Sequence, residues 1–155
     1  MVVKNPKVIS KVKFEISSES KLLAAFAYLG QLLFGFLSFI LTPFIIFGFL
    51  VPLGVWLLKK NEDEYVAFHA KQALVYSIIE IIITVILGIS FLISFLISFI
   101  LIIYNPIFLV LVIIIGLIFI IFSVISLAYF VLGIINCFSG EKKHLPLIGW
   151  IGEKF

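Results

Sequence analysis

Glu80 is the only Asp, Glu, Lys or Arg between Gln72 and Gly140. At a bilayer centre a carboxylate costs about 2.5–3.5 kcal/mol on insertion scales. Glu80 follows Lys71 by nine residues, which places it near the cytoplasmic headgroups, where that cost falls. Two chemistries stay open for it. One is a proton or ion relay, or a docking point for a partner helix. The other is an interfacial carboxylate hydrogen-bonded to Ser77 or Thr84. His69, beside Lys71, reads as an interfacial polar residue rather than a ligand. His144 has no partner at metal-site spacing and the chain has one cysteine, Cys137, so no metal is expected. There is no Gly-rich phosphate loop, no Gly-x-Ser-x-Gly and no His-Glu-x-x-His. The expectation is therefore neither an enzyme nor a cofactor protein.

The segment after Gln72 gathers its polar residues on one side. At roughly 100° per residue, His69, Ala73, Glu80, Thr84, Ser94 and Ser98 fall within about 40° of one direction on a helix. Ser77, Gly88 and Ser90 flank them. Ser90, Ser94 and Ser98 recur every four residues in Ile-Ser-Phe-Leu-Ile-Ser-Phe-Leu-Ile-Ser. Small residues let helices approach closely, and hydroxyls that bond across such a contact contribute about 0.6 kcal/mol each. The same hydroxyls can instead bond the carbonyl one turn back in their own helix, or line a hydrated pathway.

These residues need helices in a membrane. Of 155 residues, 64% are hydrophobic and 12% charged, against about 25% charged in soluble domains. Leu22–Leu58 and Ile81–Gly140 are uncharged runs of 37 and 60 residues. One span takes about 20 residues, so each run holds two. The fold expected is all-α: a polytopic membrane protein of four transmembrane helices in two hairpins, at about 21–41, 43–58, 73–103 and 107–137. Residues 1–20 form a lysine-bearing arm, 59–72 an amphipathic connection and 140–155 a tail. Ser18 or Ser20 caps the first helix, and Thr42-Pro43 opens the second. Pro52, inside that second helix, is expected to kink it. Three acids at 62–64 start the third helix, which continues through 73–103. Tyr104-Asn105-Pro106 makes the last turn.

Ten of the eleven lysines lie in the arm, the 59–72 connection or the tail, and the eleventh, Lys21, directly follows the arm. Four spans put those regions on one side, and the positive-inside rule makes that side cytoplasmic, giving an N-in/C-in protein of the plasma membrane. The net charge of +3 then belongs to the membrane surface, with no nucleic-acid partner.

Pro52-Leu53-x-x-Trp56-Leu57-Leu58-Lys59-Lys60, the acidic stretch, His69-Ala70-Lys71-Gln72-Ala73-Leu74, Gly140-Glu141 and Leu145-Pro146-Leu147 stand together. This chain resembles, over about residues 20–148, small prokaryotic membrane proteins of unknown function. These are grouped with the twenty-kilodalton subunit of the chloroplast inner-envelope import translocon (Tic). The resemblance implies four spans and the handling of polypeptides at a membrane. It departs at Tyr28, where the family usually has histidine in its first helix. The block also reads as an elbow, with Trp56, Lys59 and Lys60 anchoring the helix end at the headgroups. The function expected is an accessory or scaffold subunit contacting membrane polypeptides or nascent chains, as in translocation or insertion. The alternatives are an oligomeric solute or ion pathway, and a structural homo-oligomer or lipid-binding protein.

Overall fold

The computed structural model of the chain describes residues 16–40, 47–101, 107–146 and 151. The arm up to residue 15, the turns at Thr42-Pro43 and Tyr104-Asn105-Pro106, and Trp150 lie outside the described residues. Among the described residues the fold is all-α, with four helices: α1 Ser18–Ile40, α2 Leu50–Lys59, α3 Glu64–Leu101 and α4 Ile107–Ser139.

Ser17, rather than Ser18 or Ser20, caps α1, its Oγ accepting from the Ser20 N–H at 3.0 Å. The Ser20 hydroxyl is thereby left to donate to Asp63 Oδ2 at 2.6 Å, which ties the start of α1 to the start of α3. The buried face of α1 carries Ala24, Ala25, Ala27, Tyr28 and Gln31, while Leu22, Phe26, Leu29 and Leu33 point outward. Alanines on the inner face allow close helix approach.

A short 3₁₀ turn at 47–49 leads into α2. Since α2 begins at Leu50, Pro52 falls in its first turn. An N–H there has no acceptor one turn back, so its loss costs nothing. The expected mid-helix kink is replaced by a helix start, and Pro52 is buried. The ten residues of α2 extend about 15 Å, about half of a hydrocarbon core. A Cβ on Gly30 would run into the Val51 side chain, so α1 and α2 cross tightly at this glycine.

Asp63 caps α3, its Oδ1 accepting from the N–H groups of Tyr65 at 2.9 Å and Val66 at 3.1 Å. Burial alone would raise the Asp63 carboxyl. Hydrogen bonds from Ser20, Val66 and Tyr65, with Lys59 nearby, outweigh it and hold the group below the ordinary carboxylate range. From this cap α3 runs unbroken for 38 residues, about 57 Å. It and α4, at Leu109–Ser139, are each long and apolar enough to cross a bilayer.

The packed core sits at the end that carries the charged connections. Tyr65, Val66, His69, Ala70, Gln72, Ala73, Tyr76 and Ser77 of α3 are buried, whereas beyond Ile78 only Ser94 and Ser98 are. Cys137 is buried in the same core. Ser20 meets Asp63, and Gln31 meets Glu80, so α1 and α3 run in the same direction. Tyr65 meets Cys137, and Tyr76 meets Ser126, so α4 runs against them.

Candidate functional site

Glu80 is partly buried among three helices. Gln31 Nε2 on α1 donates to its Oε2 at 2.6 Å, and Ser126 Oγ on α4 donates to its Oε1 at 2.5 Å. Tyr76, one turn before Glu80 on α3, donates its hydroxyl to Ser126 Oγ at 2.9 Å. Charge-assisted hydrogen bonds of this kind are about twice as strong as neutral ones. The partners expected for Glu80 were Ser77 or Thr84. Ser77 instead donates to the Ala73 carbonyl of its own helix at 2.8 Å. The difference arises because α1 and α4 bring side chains that spacing along α3 cannot supply.

Beside this knot, Tyr76, Ile79, Glu80, Ile83, Phe122, Ile125 and Tyr129 line a mostly apolar cavity of about 170 Å³ between α3 and α4. The rings of Tyr76 and Tyr129 stack at 5.3 Å. Within the core, Tyr28 Oη and Gln31 Oε1 are buried without a hydrogen-bond partner.

Toward the end that carries the charged connections, the Tyr65 hydroxyl donates to the Cys137 carbonyl at 2.5 Å. His69 is fully buried and packs edge-on against Tyr65, with ring centroids 4.7 Å apart. Neither of its ring nitrogens has a partner within hydrogen-bond geometry. The segment after α4 folds back over these residues. Gln72 Nε2 donates to the Lys143 carbonyl, and the Leu145 N–H donates to Gln72 Oε1, each at 3.3 Å. Leu145 is buried, and the Tyr129 hydroxyl donates to the Pro146 carbonyl at 2.9 Å.

The other residues singled out from the sequence are spread through the fold. Trp56 packs partly buried against the core, with Lys60 Nζ 5.5 Å from its ring centroid. Lys71 is half-buried on α3. The serine repeat divides: Ser94 and Ser98 are buried, while Ser90 donates to the Ile86 carbonyl of its own helix at 2.8 Å. Gln31, Gln72, Tyr76 and Ser126 were not foreseen. Gln31 had a signal, being the only carboxamide in the uncharged run Leu22–Leu58.

Among the described residues, no three His, Cys, Asp or Glu side chains gather as a metal site. What unites the arrangement is a polar brace that joins α1, α3 and α4 within a largely apolar bundle. A small helical membrane protein of this kind also matches a family model over residues 19–151, nearly the whole chain. The chain belongs to the magnetosome magnetite crystal formation protein family. This family of small membrane proteins gives no support to the translocon grouping or to polypeptide translocation. The resemblance carried by the Pro52–Leu74 block therefore stands for membership of a small membrane family and no more. No curated protein and no solved structure matches the chain.

Proposed function

We propose that this protein is a four-span, N-in/C-in accessory scaffold that organises other membrane polypeptides in a crystal-forming membrane, without touching the mineral itself. The observation that carries this reading is the exposed surface of the α3–α4 hairpin. Ile82, Ile86, Ile89, Phe95 and Phe99 on α3, with Ile113, Leu117, Ile121 and Val124 on α4, are all 50–74% exposed in the monomer. Lipid tolerates such a surface, and a second transmembrane helix packs on it equally well.

Two further features favour a scaffold over the alternatives. Seven of the eight acidic residues, all but Glu80, lie in the lysine-bearing arm, connection and tail. Residues 42–46 and 102–106, which the four-span reading assigns to the opposite side, contain no Asp, Glu, His or Cys. A mineral surface or iron ion facing them would meet no hard anionic ligand. Glu80 itself has both carboxylate oxygens engaged by neighbouring helices, which suits a brace better than a conduction path. The membrane read from sequence alone was the plasma membrane, and the family name directs the proposal to the membrane around the crystal.

Reconstitution tests the scaffold reading against the pathway reading. Vesicles holding the wild type are expected to leak protons and sodium no faster than empty ones. A flux that Glu80→Gln abolishes would restore the pathway reading.

A further inference from the structure

We propose that a single copy of this chain is a wedge in the bilayer, which gathers in curved membrane whose convex leaflet holds its charged end. Its partner here is the lipid bilayer itself. The role goes beyond the scaffold described above and does not depend on it, because the taper belongs to one copy.

The taper comes from helices of unequal reach. Glu80, bonded by Gln31 and Ser126, marks one level shared by α3, α1 and α4. The start of α2 lies close to that level, with Val51 against Gly30. On the side toward Asp63 all four helices stand together. On the other side, α3 runs 21 residues past Glu80 to Leu101, and α4 begins 19 residues before Ser126, about 31 and 28 Å. There α1 continues only nine residues past Gln31, to Ile40, about 13 Å. Beyond its end, α3 and α4 are the only described helices. They are still in contact, since a Cβ on Gly116 would lie 3.7 Å from the Phe91 ring.

Burial follows the same taper. Eight residues of α3 from Tyr65 to Ser77 are buried, against Ser94 and Ser98 alone beyond Ile78. Among the described residues of α4, none before Ser126 is buried. Four helices against two, each about 10 Å across, give a cross-section about twice as large at the charged end.

Both ends meet lipid, at different depths. Lys59, Lys60 and Lys71 hold the wide end at one set of headgroups. On its flank Leu22, Phe26 and Leu33 are 54–60% exposed, which keeps that flank among acyl chains. Ile81–Leu101 carries no charged side chain and is long enough to reach through the far leaflet. The chain therefore displaces more area in one leaflet than in the other. A bilayer deforms around a protein whose shape it does not match. Membrane already convex on the wide side needs less deformation, so copies accumulate there.

The test places the full-length chain, carrying Lys143→Cys, in giant vesicles from which a narrow membrane tube is pulled outward. Lys143 is exposed at the charged end and Cys137 is buried. An impermeant dye added outside thus marks only copies whose charged end faces out. Their density per lipid is expected to be about twofold or more higher in the tube than in the parent vesicle, and to rise as the tube narrows. Equal densities, or depletion from the tube, would overturn the proposal. Leu22→Ala, Phe26→Ala and Leu33→Ala together slim the wide end at exposed positions and leave the lysine-bearing arm intact. This variant should be enriched less. Undiminished enrichment would assign the effect to crowding by the arm and overturn the wedge.

Discussion

Gln31 Nε2 donates to Glu80 Oε2 across 2.6 Å, so the one carboxamide of the first uncharged run meets the one charged residue between Gln72 and Gly140. The contact joins α1 to α3. Gln31→Leu removes the donor while leaving the carboxylate in place. Hydrogen bonds to charged groups contribute about 1.5–3 kcal/mol, so the variant should melt at lower temperature in detergent or nanodiscs. An unchanged melting temperature would mean that the brace contributes nothing.

The Tyr28 ring lies on Gly133, where an added Cβ would come within 2.5 Å of Tyr28 Cε1. Overpacking of this sort costs about 1–3 kcal/mol. Gly133→Ala should therefore destabilise the fold, and pairing it with Tyr28→Leu should recover part of the loss. No recovery in the double variant would place the strain elsewhere.

Asp63 caps α3 and receives Ser20 from α1. Asp63→Ala is expected to cost about 1–2 kcal/mol through the cap, with Asp63→Asn milder. Because the folded carboxyl lies below its ordinary 3.8, its contribution is present above that value and is lost as pH falls through the folded one. Acid melting curves of the wild type and Asp63→Asn should converge at low pH. Parallel curves at every pH would contradict this.

Ser94 and Ser98 are buried, whereas Ser90 bonds its own helix. Leucine at 94 or 98 should disturb folding or assembly in detergent, and leucine at 90 should be tolerated. Equal tolerance at all three positions would remove the packing role of this ridge.

Much of this architecture was legible because lipid imposes simple rules. The uncharged runs pointed to an all-α fold, and the acids at 62–64 lie at the start of α3. Pro52 was misread because helix boundaries decide whether a proline breaks a helix or begins one, and composition does not locate α2 at Leu50. The face shared by His69, Ala73, Ser94 and Ser98 followed from helical period alone. The true partners of Glu80 did not, since Gln31 and Ser126 lie 49 and 46 residues away in sequence. The return of the tail over α3 was equally hidden. It depends on the chain reversing after Gly140 and returning past Gln72 to Tyr129.

The central claim is that the outward face of the α3–α4 hairpin meets other polypeptides. Phe95 is 50% exposed and its ring lies in a series with Phe91 and Phe99, at 6.5 Å spacings. The most direct measurement places the photoreactive p-benzoylphenylalanine at position 95 and irradiates native membranes. Discrete adducts with defined membrane polypeptides are the predicted result. Adducts with lipid alone would contradict the scaffold reading.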